Sequence, residues 1–210
     1  MFQTFETTAD PSQGPKRLAR LRAALAEQAL DGAFVPRADA HQGEYVANAD
    51  ARLAWLTGFT GSAGFCLALS DIAGVFIDGR YRNQVRNQVD IDAFTPVHWP
   101  ETKPGPWLKD HLPDGGRIGF DPWLHTTGEI EAIEKDLTGT GIELTPVSNP
   151  VDDLWDDRPA PPQGPIWAHP DRYAGMTHAE KRERCAGALR AAGEKAAVLT
   201  LSDSIAWLLN

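Results

Sequence analysis

Leu18, Leu21, Leu25 and Ala29 share one face of residues 16–30, while lysine and arginine hold the other. That spacing predicts an amphipathic helix, opened by Pro15 and closed at Asp31-Gly32. Ala33-Phe34-Val35 follows as a short apolar run suited to a buried strand and stopped by Pro36. Residues 38–49 are polar, and a short helix over 51–57, with Asp50 as its N-cap, leads into a glycine-rich turn at 58–64. Apolar runs at 65–69 and 74–77 flank Ser70-Asp71 and predict an antiparallel pair. Asp78 is placed to cap a helix over 81–88, with Arg80 reaching outward, and residues 93–99 alternate as a strand. A helix at 104–111, a strand at 117–120, a helix at 126–137 and a strand at 142–145 complete the run. Helices and strands in this order predict an α/β fold, a mixed β-sheet flanked by helices.

The pattern changes from Asp152. Residues 156–165 are crowded with proline and read as a semi-rigid linker. The expected organisation is a flexible tail at 1–14, a domain at 15–157, a linker at 158–175 and the start of a second copy at 176–210. Thr177 with Glu180 forms a capping-box pattern before a helix at 181–192, and the apolar residues 196–200 read as a strand. Laid over the beginning of the chain, Arg17 falls on Lys181, Arg20 on Arg184, Ala24-Leu25 on Ala188-Leu189 and Ala33-Phe34-Val35 on Ala197-Val198-Leu199. Ala54-Trp55-Leu56 recurs as Ala206-Trp207-Leu208, so the α/β unit is read as begun twice. The second stretch is shorter than the roughly 40 residues a lone core needs. The expectation is therefore an amino-terminal piece of a longer polypeptide.

Composition narrows the function classes. The 210 residues are 42% hydrophobic and 23% charged, an ordinary globular mixture. A net charge of -9 repels phosphate backbones, which argues against nucleic acid as a partner. No apolar run approaches about 18 residues, so no membrane span is expected. The start lacks a basic segment followed by an apolar one, which makes the cytoplasm the expected location. Cys66 and Cys185 are expected as small buried residues, and no Cys-x-x-Cys or His-Glu-x-x-His spacing points to a metal. Gly58, Gly61 and Gly64 are not spaced as a dinucleotide loop, and Ser62 lacks the Gly-x-Ser-x-Gly context of a nucleophile. His41 with Glu44, and Asp78 with Arg80 and Tyr81, are the compact polar groups; a guanidinium fork at Arg80 suits a carboxylate. These residues contain no catalytic constellation.

Several segments nevertheless resemble a known family. His41-Gln42-Gly43-Glu44-Tyr45-Val46-Ala47 with Asp50, residues 56–64, Asp78-Gly79-Arg80-Tyr81, Asp121-Pro122, residues 149–155 with Arg158-Pro159, and residues 205–210 resemble, in order, cytosolic-type Xaa-Pro aminopeptidase (aminopeptidase P). Gly43 stands where that family usually has serine. The resemblance implies two creatinase-like amino-terminal domains ahead of a catalytic domain of pita-bread fold. That domain would carry two divalent metals, usually manganese, which activate water to cleave before proline in second position. None of those metal ligands maps onto this chain, so no cofactor is expected here. The resemblance further implies a homodimer acting on peptides, with His41, Glu44, Tyr45, Arg80 and Tyr81 toward the interface or the route to the active site. The reading from another class is a non-catalytic binding or assembly module on the same fold.

Overall fold

The computed structural model describes residues 9–210, so the expected tail lies outside the described residues up to position 8. Its last positions are ordered: Asp10 caps a 3-10 turn at Pro11–Gln13 that runs into α1 (Gly14–Glu27). Gly14 is buried against Phe94, where a Cβ would come within 2.8 Å of the ring. The domain therefore begins before Pro15.

The chain forms two compact units, residues 9–39 with Glu44–Pro161, and Ala40–Gly43 with Pro162–Asn210. In the first, β1 (Gly32–Pro36), β2 (Gly64–Leu69), β3 (Ala73–Ile77), β4 (Thr95–His98), β5 (Gly116–Phe120) and β6 (Ile142–Pro146) make one six-stranded sheet ordered β4-β3-β2-β1-β5-β6. The β1–β2 and β2–β3 pairs are antiparallel; β3–β4, β1–β5 and β5–β6 are parallel. The expected mixed sheet and its antiparallel pair are both present.

Alternation along the strands builds two cores. Ala33, Val35, Cys66, Ala68, Val75 and Ile77 face α1, α2 (Arg52–Thr57) and α3 (Arg82–Gln88), meeting Leu18, Leu21, Leu25, Leu56 and Val85. Phe34, Leu67, Leu69 and Phe76 face α4 (Pro104–His111) and α5 (Thr127–Leu137), meeting Trp107, Leu108, Ile133 and Leu137. With both faces covered, β1 and β3 are buried along their whole length, which explains their unbroken apolar sequence.

Four local expectations change. Gly32 does not cap α1: Ala29 takes the left-handed turn at φ 52, and Gly32 enters β1, where a Cβ would meet the Ala68 carbonyl at 2.7 Å. Asp50 does not cap α2; its carboxylate pairs with Arg52 at 3.1 Å and with Arg158 at 3.3 Å. Arg158 also donates to the Ala49 carbonyl at 2.6 Å and pairs with Asp152 at 2.9 Å, so it is anchored in the first unit and not in a linker. Cys66 is buried, which pushes its thiol up to about 12, whereas Cys185 is exposed.

The second unit holds α6 (Asp171–Ala174), α7 (His178–Ala191) and α8 (Ser202–Leu209). The short α6 falls inside the stretch expected to be linker. The Thr177–Glu180 capping box is present. Residues 196–200 form no strand; a strand needs a partner for its amides and carbonyls, and the second unit has none among the described residues. The repeat is visible in a detail of contact. Arg17 on α1 donates to the Trp55 carbonyl at 2.5 Å and lies 4.8 Å from that ring's centroid. Lys181 on α7 donates to the Trp207 carbonyl at 2.8 Å and lies 4.8 Å from its ring. Trp55 is further stacked on Trp155 at 5.7 Å and only 8% exposed, while Trp207 is 56% exposed.

One buried group ties stability to pH. The His125 ring meets Phe34 and Phe120 edge-on, and its buried Nε2 has no hydrogen-bond partner. Burial lowers its pKa below 6.5, with Glu129 and Asp121 opposing weakly. The unfolded chain then binds the proton more readily, so stability falls as pH drops below about 6.5 and levels off beneath the folded value. Comparing urea midpoints at pH 7.5 and 5.5 should show a smaller loss in His125→Phe than in the parent; equal losses would rule the imidazole out.

Candidate functional site

The carboxyl ends of β1 and β3 and the amino end of β2 lie together, because Pro36 pairs with Phe65 and Gly64 with Ile77. The loops leaving this edge carry Arg37, Glu44, Ser62, Asp78, Arg80 and Tyr81. The glycine turn is firmly held. Gly58 adopts φ +87, and a Cβ there would fall 2.2 Å from the Gln88 carbonyl at the end of α3. Gln88 accepts from the Thr60 amide at 3.0 Å and donates to its hydroxyl at 2.8 Å. The Ser62 and Tyr81 hydroxyls share a hydrogen bond of 2.7 Å.

Asp78 caps the 3-10 turn Gly79–Tyr81 through the Arg80 amide at 2.8 Å and not the helix expected over 81–88, because α3 starts at Arg82 with Tyr81 as its N-cap and no side-chain cap. Arg80, expected to reach outward, folds back instead: its Nε and Nη2 donate to Asp78 at 2.9 and 2.6 Å, and it lies 5.1 Å over the Tyr81 ring. Its side chain remains 64% exposed. The Arg80 hydrogen bonds hold the Asp78 carboxyl below its usual range. Reciprocally, bonding to Asp78 raises Arg80, with Glu44 adding a smaller charge contribution. The structure thus brings Arg80 and Tyr81 together, with Glu44 near enough to add a small charge contribution at Arg80 and Tyr45, next to Glu44 in sequence, 87% exposed. His41 lies in Ala40–Gly43, which groups with the other unit.

Sequence reading missed Arg37, whose guanidinium donates to the main-chain carbonyls of Ser62 and Glu44 at 3.0 and 2.9 Å. It had no signal to find: a main-chain carbonyl carries no residue identity. Among the described residues, no three His, Cys, Asp or Glu side chains converge to hold a metal ion. The divalent metals implied by the family resemblance therefore do not fit the described residues. Nor is any helix among them long and apolar enough to cross a membrane.

The fold and this polar edge define an α/β domain of mixed sheet, followed by a repeat of its opening helix and tryptophan helix. The chain belongs to the creatinase/prolidase N-terminal domain family, which matches residues 17–154; a second family of the same description matches residues 157–210. It is 37% identical to an Xaa-Pro aminopeptidase P of Aspergillus fumigatus, over 93% of this chain and 30% of that protein. It is similar to the crystal structure of X-prolyl aminopeptidase from Caenorhabditis elegans, described as a cytosolic enzyme with a di-nuclear active site. The TM-score there is 0.84 at 32% identity, covering 92% of this chain and 34% of the other. The N-terminal domain of the cytoplasmic peptidase PepQ from Mycobacterium tuberculosis shares the fold at TM-score 0.53 and 24% identity, over 67% of this chain and 98% of that one. The chain thus spans about a third of the length of its long relatives.

Proposed function

We propose that this chain is the amino-terminal, non-catalytic portion of a metallo-aminopeptidase that removes the first residue from peptides with proline in second position. One observation carries the reading: the Caenorhabditis elegans enzyme accounts for 92% of the chain, whereas the single PepQ domain accounts for 67%. In this reading the metals, manganese first among candidates, are held by other parts of the polypeptide. The protein works in the cytoplasm as a homodimer. Glu44, Tyr45, Arg80 and Tyr81 line the approach to the active site or the dimer contact. Arg80 suits that place chemically, since it keeps N–H groups beyond those given to Asp78 and is exposed enough to meet a peptide.

The test uses the chain joined to its peptidase domain. Arg80→Ala is expected to raise KM for an Xaa-Pro-Pro peptide about threefold to tenfold with kcat kept, the signature of lost uniform binding. Unchanged KM, kcat and dimer mass would remove the residues at 80–81 from the site. The 210-residue chain alone is expected to release nothing from that peptide with Mn²⁺ present. If the joined protein is equally inert with its metals bound, the assembly-module reading gains.

A further inference from the structure

Arg37 is the first residue beyond β1. Its amide donates to the Gly64 carbonyl at 3.0 Å, while Nη1 and Nη2 donate to the Ser62 and Glu44 carbonyls at 3.0 and 2.9 Å. One planar fork therefore spans two loops. The two loops differ in how they are held. The glycine turn is a fixed block, gripped by Gln88 through Thr60 and by Tyr81 through Ser62. Residues 44–47 have no helix or strand of their own, and Tyr45 among them is almost fully exposed. A fixed block, an irregular segment and a rigid donor pair between them make a registering device.

We infer that Arg37 is a positioning residue, setting where Glu44 and Tyr45 stand relative to Arg80 and Tyr81. Its acceptors are main-chain oxygens, so it acts on the path of the loop and not on a neighbouring charge. The continuity is physical: Arg37 holds Ser62, the Ser62 hydroxyl holds Tyr81, and Arg80 lies over the Tyr81 ring. The geometric part stands by itself. Its consequence for peptide binding rests on the reading of this edge as substrate-facing.

Two measurements separate these layers. Chymotrypsin cutting after Tyr45 reports how firmly the loop is held. In Arg37→Met, which keeps an apolar stem and loses both donors, that cut is expected about tenfold faster, the size of one or two lost hydrogen bonds. Cutting after Phe65, within β2, should be unchanged. An unchanged rate at Tyr45, or equal acceleration at both places, overturns the positioning role.

The second measurement uses the chain joined to its peptidase domain. There Arg37→Met should raise KM with kcat kept, and its effect should not add to that of Arg80→Ala. If Arg80→Ala raises KM and Arg37→Met does not, positioning fails and the site stands. If neither moves KM, the site fails, and the proteolysis result still judges Arg37. Should Arg37→Met fail to fold, Arg37→Lys, which keeps the cation without the fork, carries both measurements with smaller changes expected.

Discussion

Arg52→Met is expected to lower the unfolding free energy by about 3 kcal/mol, the cost of removing one partner from a buried ion pair. Arg52 is 5% exposed at the start of α2, and its guanidinium meets Asp152 at 2.5 and 2.9 Å and Asp50 at 3.1 Å. Burial alone would lower its pKa, but the bonds and charge of Asp152, then Asp50, outweigh that and raise it. The cation therefore stays charged and paired. Methionine fills a similar stem but leaves two carboxylates with Arg158 alone, which is less buried than Arg52. Urea unfolding should show a lower midpoint at unchanged slope. A loss below about 1 kcal/mol would mean that water screens the cluster as it does a surface pair.

Gly58→Ala should be at least as damaging, because two costs fall on one atom. The left-handed backbone disfavours any Cβ by about 1–2 kcal/mol. The same Cβ would lie 2.2 Å from the Gln88 carbonyl, main chain that cannot swing aside. Overpacking of that kind adds about 1–3 kcal/mol, so a total near 4 kcal/mol is expected. Relief by separating the glycine turn from α3 would break the Gln88–Thr60 hydrogen bonds and shift Ser62 from Tyr81. Gly79→Ala is the control, since its nearest neighbour is the Arg82 Nε at 4.0 Å. If both alanines unfold at the same urea concentration, the argument from the Gln88 contact fails.

Local features were legible in the sequence, and distant ones were not. The Thr177–Glu180 box and the Asp78 cap are formed between residues two or three apart, so spacing alone exposes them. The strands at 65–69 and 74–77 were readable because apolar runs around a polar turn leave few other arrangements. The Arg52–Asp152 contact joins residues 100 positions apart, and no periodicity encodes it. Arg37 was invisible for a further reason: its partners are peptide oxygens. Residues 196–200 show the reverse error. Their side chains suit a strand, yet a strand is a pairing, and composition does not supply the neighbour. Arg80 was identified as part of a polar knot, but its retreat onto Asp78 and Tyr81 follows from three-dimensional proximity at the turn.

The twin tryptophan clasps carry a consequence of their own. In the second unit the lysine has closed on its indole although the adjoining apolar run has found no strand partner. That clasp joins a cation on one helix to a ring and its own carbonyl on another, helped in the second unit by the Asn210 side chain, and no strand takes part in it. In the first unit the same corner also carries the Trp155 ring stacked on its indole, which leaves Trp55 far more enclosed than Trp207.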